Sequence, residues 1–210
     1  LHAVREPQDF YAVLFVASRP ASDAPASGRW DLGNTAGSNI SLLNSCNTVG
    51  AKPQYLANVW GWDENAINVA KEAGDGVAVP LGAPSWKNDA PGMSTVRDIS
   101  KVSDPSGKTY RNLHYMRGVC AVFFMKDAMA AADEMDGGIT GSNIKKGMEQ
   151  MRNHVPAGLE GVCKLSTWTD EDHSGMTEVS VYTTTYNGGD FSFNQQSTVT
   201  VPRRPDWLGW

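Results

Sequence analysis

Apolar and polar positions alternate along residues 29–81 in blocks that predict strand, helix, strand, helix and strand. Short apolar runs predict the strands 29–33, 55–57 and 76–81, and longer runs predict the helices 40–48 and 66–73. Strands that alternate with helices are typical of a parallel sheet with helices packed on its faces. The fold class expected for this part of the chain is therefore α/β.

The rest of the chain predicts a helical region followed by a hairpin. The helices are expected over 115–135 and from about 140 to 151, with Ser142 or Asn143 as the N-cap of the second. The hairpin strands are expected over 178–183 and from 191, joined by a turn at 187–190. Residues 84–107 are rich in Pro, Asp, Ser and Gly, which favours an irregular crossing segment.

The two ends of the chain are harder to interpret. The apolar run 10–16 predicts a buried strand, and the loop that follows it is rich in Ala, Ser and Pro. The tail 202–210 is predicted to be irregular and to dock through Trp207 and Trp210.

Two polar loops follow the first two predicted strands, at 34–38 and 60–64. In parallel sheets, ligands bind beyond the carboxyl ends of the strands, where both loops would lie. The second loop combines Trp60 and Trp62 with Asp63 and Glu64, and apolar walls with a few polar groups are typical of a small-molecule site. A structural interpretation is also open, in which one tryptophan belongs to the core and Asp63 or Asn65 caps the next helix.

Charge and composition exclude several classes of function. The 210-residue chain has a formal net charge of −5 and no basic patch, so we expect no nucleic-acid partner. No apolar run approaches the roughly 18 residues of a membrane span. The three cysteines lack C-x-x-C spacing, which leaves open either one disulfide with one free thiol or three buried thiols.

The sequence contains little that favours catalysis. The G-x-S-x-G, P-loop and G-x-G-x-x-G patterns are all missing from it. Asp63 and Glu64 could form an acid/base pair, but a carboxylate beside tryptophan faces serves equally well to hold a ligand ammonium. His173 beside Asp170 and Asp172 is a weak candidate for a metal site, because neighbours on one turn rarely face one ion. We predict no catalytic residues, no metal and no cofactor.

Several motifs, taken in order, resemble one family of binding proteins. They are Asp31-Leu32-Gly33-Asn34-Thr35-Ala36, Leu42-Leu43, Val49-Gly50-Ala51-Lys52, Asn58-Val59-Trp60-Gly61-Trp62-Asp63-Glu64, Tyr115-Met116-Arg117-Gly118 and Asp172-His173-Ser174-Gly175. Their order and spacing are similar to those of solute-binding proteins of ABC importers, of the branched-chain amino-acid (Leu/Ile/Val) type. The resemblance covers about residues 29–200.

The resemblance implies a type I periplasmic-binding fold, with two α/β lobes joined by crossing segments. The implied parts are 29–85 with 175–201 as the second lobe, 109–165 as the returning part of the first lobe, 86–108 and 166–174 as crossing segments, and 202–210 as the tail. Chains of this family are longer, so the first lobe is expected to be incomplete in this sequence. Residues 1–28 are unassigned or a remnant of that lobe.

The resemblance also implies a site and a function. The implied ligand contacts are Asn34, Thr35, Ala36, Trp60, Trp62, Asp63, Glu64 and Tyr115. The implied function is the periplasmic or extracytoplasmic solute-binding component of an ABC importer, although the sequence shows no signal peptide. It would bind a small amino acid or a small organic or aromatic acid by hinge closure in an inter-lobe cleft, with the membrane permease as its partner. A ligand-sensing regulator or receptor on the same fold, a hydrolase and an assembly role are the alternatives.

Overall fold

The computed structural model describes residues 29–200, so the strand predicted at 10–16 and the docking predicted for the tail lie outside the described residues. The strands are β1 (Arg29–Leu32), β2 (Gln54–Ala57), β3 (Ala78–Leu81), β4 (Ser166–Thr167), β5 (Gly175–Met176), β6 (Glu178–Asn187) and β7 (Asp190–Thr200). The helices are α1 (Ala36–Thr48), α2 (Glu64–Ala70), α3 (Met93–Ser103), α4 (Leu113–Asp133) and α5 (Gly141–Glu149).

Five of these strands form one sheet in the order β1-β2-β3-β6-β7. β1 pairs with β2, and β2 with β3, in parallel, and Trp30 lies opposite Tyr55 in the first pair. α1 and α2 connect these three strands in the chain, as parallel pairing requires. The α/β alternation predicted from the sequence is confirmed, with boundaries shifted by only a few residues.

β6 and β7 form the hairpin that the sequence predicts, and they extend further than expected. Gly188 and Gly189 connect the two strands with φ values of 57° and 98°, a left-handed conformation that glycine adopts without strain. Side-chain hydrogen bonds join Thr185 to Ser192 and Tyr182 to Gln195. From the first of these pairs to the second, the residue number decreases along β6 and increases along β7, so the two strands are antiparallel.

The helices on the sheet bury side chains at helical spacing. α1 directs Asn39, Leu43 and Cys46 inward, and each of these side chains is at most 3% exposed. Leu43 and Cys46 are three positions apart, whereas Ile40 is only half-buried and Asn39 takes the remaining buried position. Asn39 is therefore the polar member of the buried face of α1.

The described part of the chain folds into two compact units. The first, called the sheet unit, contains residues 29–80 and 181–197 of the described chain. The second, called the helical unit, contains residues 81–180 and 198–200. The assignment of segments to a first lobe, a second lobe and crossing segments, which the resemblance implies, stays a prediction.

The prediction of an irregular segment over 84–107 was wrong, because α3 occupies Met93–Ser103. Met93, Val96 and Ser100 are buried at spacings of three and four residues, which places them on one face of a helix. The surrounding Pro, Gly, Asp and Ser residues obscured this short stripe. The composition of residues 84–107 favours a loop, and the helical spacing in the second half of that segment involves too few residues to outweigh it.

α4 and α5 confirm the two predicted helices, although their caps differ in detail. The side chain of Asn112 accepts a hydrogen bond from the backbone N–H of Tyr115, so α4 starts two residues earlier than predicted. The cap of α5 is Thr140, whose hydroxyl accepts from the backbone N–H of Asn143. The expectation of Ser142 or Asn143 as the cap was therefore wrong. Within residues 29–200, no helix is both long and apolar enough to cross a membrane.

A disulfide between Cys120 and Cys163 joins α4 to the segment that precedes β4. The two residues are 43 positions apart, and the intervening chain includes the end of α4 and all of α5. Cys46 is a free, buried thiol in the sheet unit. Of the two alternatives that the sequence left open, the structure has one disulfide and one free thiol.

Candidate ligand-binding site

Asn39 joins the two polar loops at the carboxyl ends of β1 and β2. Its side-chain amide donates hydrogen bonds to the carbonyl oxygens of Asn34, at 3.0 Å, and of Gly61, at 3.1 Å. A methyl group at Gly61 would lie 2.6 Å from the carbonyl oxygen of Asn34, so only glycine permits this approach. The loops are thus held together by a buried amide.

The first loop presents polar groups at the N-terminus of α1. Asn34 and Thr35 are exposed, and Ala36, the first helical residue, is half-buried. Thr35 is the N-cap, yet its side chain makes no capping hydrogen bond, and the first turn contains no acidic residue. The backbone N–H groups at this end of α1 are therefore not satisfied by a side-chain cap, and such N–H groups favour an anionic group.

The second loop directs its two tryptophans to different places. The Asn58 carboxamide accepts hydrogen bonds from the backbone N–H groups of Trp60, at 2.9 Å, and Gly61, at 2.7 Å, and so fixes a tight turn. Trp60 is 72% exposed, whereas Trp62 is fully buried. A methyl group at Gly74 would lie 2.7 Å from the ring of Trp62, so that ring packs directly on the backbone. Trp60 is thus the exposed tryptophan of this loop.

Asp63 and Glu64 also diverge, as neighbours on a turn usually do. Asp63 is the N-cap of α2, and its Oδ1 accepts a hydrogen bond from the backbone N–H of Ala66 at 2.8 Å. Its Oδ2 accepts from the Asn65 amide at 3.3 Å. Glu64 is only 3% exposed. The interpretation of Asp63 as a helix cap, and of one tryptophan as a core residue, is therefore confirmed.

Tyr115 belongs to the helical unit, where it joins a cluster that was not predicted from the sequence. The Arg111 guanidinium carbon lies 5.0 Å from the centroid of its ring, and Trp86 meets the ring edge-on at 6.4 Å. Ser100 and Ser103 accept hydrogen bonds from Arg111 and fix the guanidinium in place. The sequence offered no helical spacing to signal this pair, because Arg111 precedes the N-cap of α4.

The residues around His173 do not come together as metal ligands. The His173 imidazole lies 2.8 Å from a carboxylate oxygen of Glu149, on α5. Asp172 instead accepts a hydrogen bond from the backbone N–H of Ser174. Among the residues that the structure describes, no group of three His, Cys, Asp or Glu side chains is placed to hold an ion.

Solved structures of similar fold are binding proteins about twice the length of this chain. A leucine binding protein from Thermotoga maritima is 17% identical, with a TM-score of 0.64 over 92% of this chain and 49% of that one. A branched-chain amino-acid ABC transporter protein from Thermus thermophilus, with bound valine, is 15% identical, with a TM-score of 0.62 over 91% and 50%. A substrate-binding protein of an ABC transporter from Aeropyrum pernix is 18% identical, with a TM-score of 0.63 over 85% and 46%.

The sequence itself supports the same assignment. The model of the family described as periplasmic binding protein matches residues 31–190, which include most of the sheet unit and most of the helical unit. No match was found among curated proteins. The fold is that of the type I periplasmic binding proteins, and the chain spans about half the length of the similar structures. The chain belongs to the periplasmic binding protein family.

Proposed function

We propose that this protein is the extracytoplasmic solute-binding component of an ABC importer. Its ligand would be a small amino acid or a small organic or aromatic acid, bound at the carboxyl edge of the sheet unit. The main support is Asn39, whose buried amide holds the loops after β1 and β2 together at that edge. The proposal includes no catalytic step, and the solved structures of similar fold are binding proteins.

The groups at this edge favour a ligand that carries a carboxylate. The α1 N-terminus, without a side-chain cap, supplies backbone N–H donors and the positive end of the helix dipole. Asn34 and Thr35 add exposed polar side chains, and the indole of Trp60 offers an apolar face. A carboxylate next to an apolar or aromatic body would match this combination.

The proposed site has fewer ligand contacts than the resemblance implies. Trp62 and Glu64 are buried, so they support the turn rather than present a surface to the ligand. Asp63 caps α2, and contact with a ligand ammonium would be a second role for its carboxylate. The contact expected at Tyr115 and the hinge closure stay predictions.

The disulfide supports the proposed location outside the cytoplasm. Disulfides persist in oxidising compartments such as the periplasm and are rare in the cytosol. Cys120 and Cys163 are both at most 9% exposed, so their bond is a buried structural element rather than an exposed redox site. A permease would be the membrane partner, as expected for a component of an ABC importer.

Thermal unfolding of the full-length protein tests the proposal directly. Amino acids are compared with their amides and with the amines that lack the carboxylate. Aromatic acids are compared with their amides. A ligand at about 100-fold its Kd adds about 2.7 kcal/mol of stability, which raises Tm by roughly 5–10 °C in a chain of this size. We expect this shift with the acids and not with their amides. No shift with any compound, in a well-folded sample, would overturn the proposal.

A matched pair of variants assigns the site. Trp60→Ala should weaken binding of the ligand that shifts Tm, because it removes the exposed aromatic face. Val69→Ala, at a position 61% exposed in the same unit, should leave binding unchanged. Equal binding by both variants would place the ligand elsewhere on the molecule.

A further inference from the structure

The helical unit contains a groove of its own, lined by residues of that unit alone. It has a volume of about 380 Å³, which lies within the range of small-molecule sites. Its walls are mainly apolar and come from Met125 on α4, Ile144 and Met148 on α5, and Trp168 after β4. The groove therefore has the size and lining of a binding site for a small ligand.

The aromatic wall of the groove is fixed in position by its neighbours. Phe124 meets the Trp168 ring edge-on, with the ring centroids 4.9 Å apart. On another side, a methyl group at Gly175 would lie 2.7 Å from the same ring, and Gly175 has φ of 77°. Trp168 thus packs against bare backbone at a position where glycine is favoured on two grounds. A wall held in this way would lose little side-chain entropy on binding a ligand.

One carboxylate oxygen in the groove receives no hydrogen bond from residues 29–200. Glu149 is 14% exposed, and its Oε1 accepts from both Lys145, at 3.0 Å, and His173, at 2.8 Å. The hydrogen bonds from Lys145 and His173 hold the pKa of Glu149 below its usual range, so it stays ionised at neutral pH. Within residues 29–200, its second oxygen, Oε2, has no hydrogen-bond partner.

We propose that this groove binds a small organic cation, namely a primary amine on an aromatic or branched apolar body. The ammonium group would donate to Oε2 of Glu149, and its apolar body would lie against Trp168, Met125 and Met148. Indole faces attract cations, and thioether sulfurs make favourable contacts with aromatic rings. A carboxylate ligand would have to compete with Glu149 for Lys145 and His173, both of which donate to its Oε1.

Isothermal titration of the full-length protein with 2-phenylethylamine tests this site. The amine is compared with phenylacetate and with 2-phenylethanol, which keep the ring and replace the ammonium. We expect saturable binding of the amine, and binding at least tenfold weaker for both analogues. Tighter binding of phenylacetate, or no binding of the amine, would overturn the proposal.

Two variants and one control assign the amine to the groove. Gly141→Phe should abolish binding, because a side chain at this lining position meets no atom within 4 Å of its Cβ and can fill the groove. Glu149→Gln should weaken binding at least tenfold, because it removes the charge but keeps the side-chain shape. Lys146→Ala, an exposed change on the same helix, should bind as the natural protein does.

These variants also distinguish this site from the one proposed in the sheet unit. Trp60→Ala should leave amine binding unchanged, and Gly141→Phe should leave the acid-induced Tm shift unchanged. Unchanged amine binding in Gly141→Phe, with the protein folded as shown by circular dichroism, would exclude the groove. The two proposals can therefore fail independently.

Discussion

Both units bury an apolar core, and each adds a different kind of interaction to it. The sheet unit depends on apolar packing beneath a five-stranded sheet and on one buried amide, Asn39, and its cysteine is a free thiol. The helical unit depends on a disulfide and on two histidine–carboxylate pairs, His154 with Asp127 and His173 with Glu149. The helical unit should therefore respond to redox and acid conditions that leave the sheet unit unchanged.

Removal of the disulfide should produce the largest difference in stability between the two units. The double variant Cys120→Ser, Cys163→Ser should lose about 4 kcal/mol of unfolding free energy, the entropic estimate for a closed loop of 43 residues. Hydrogen exchange read by mass spectrometry should show faster exchange in α4 and α5 than in β1, β2 and α1. Equal acceleration in both units would contradict the comparison.

Asn39→Ala should have the next largest effect, and in the other unit. It removes a buried donor from the carbonyl oxygens of Asn34 and Gly61 and should cost roughly 1–3 kcal/mol. Exchange should increase in the loops after β1 and β2, and ligand binding at that edge should weaken. Asn44→Ala, at an exposed position of the same helix, is the control and should change neither quantity.

Substitutions at Asp63 should have a smaller effect and separate its two roles. Asp63→Ala removes the cap of α2 and should cost about 1 kcal/mol, measured by urea unfolding. Asp63→Asn keeps an acceptor for the backbone N–H of Ala66 and should be nearly as stable as the natural protein. Weaker ligand binding by Asp63→Asn alone would show that the carboxylate also meets a ligand ammonium.

The smallest effects should come from pH, and they should have opposite signs in the two units. Burial raises the pKa of Tyr55, and the thiol of Cys46 raises it further, so ionisation favours the unfolded sheet unit. Its stability should fall as pH rises above about 10, where tyrosine ionises in unfolded chains. The loss should be small just above this pH, because only part of the unfolded population has ionised.

In the helical unit, hydrogen bonds from Lys145 and His173 lower the pKa of Glu149, so its stabilising contribution should be lost on the acid side. That loss should begin below about pH 4.3, the usual value for an unfolded glutamate, and continue as the folded carboxylate is protonated. Hydrogen exchange at acid and alkaline pH measures both slopes. Glu149→Gln should flatten the acid slope of the helical unit, and Tyr55→Phe the alkaline slope of the sheet unit.

Most of the fold could be predicted from the sequence because its elements are regular and well separated. The strands β1 to β3 follow from apolar runs bounded by Gly, Pro and Asn, and α4 from its length. α3 could not be found by composition, since its buried face is only Met93, Val96 and Ser100. The pairing of Cys120 with Cys163 could not be inferred, because spacing alone leaves every connectivity open.

The candidate site was harder to predict, because side-chain direction decides it. The sequence placed both loops at one sheet edge, but not which of Trp60 and Trp62 is exposed. The exposure of Trp60 depends on the turn that Asn58 fixes. The carboxylate of Asp63, which was expected to contact the ligand, caps α2 instead. Asn39 lies between the predicted loop 34–38 and the predicted helix 40–48, yet its buried amide joins the two loops. An asparagine at a buried helical position was the one available signal.

The order of strands in the sheet has a consequence for how the protein is synthesised. β3 neighbours β6 in the sheet, and Thr184 and Tyr186 bond to Gly74 and Asp75 across 110 and 111 residues. During translation, β3 therefore exposes an unpaired edge until the helical unit and β6 have emerged. The cost of closing that loop depends on its effective length, which a folded helical unit shortens. A ribosome that stalls before residue 178 would hold a nascent chain with an open, aggregation-prone sheet.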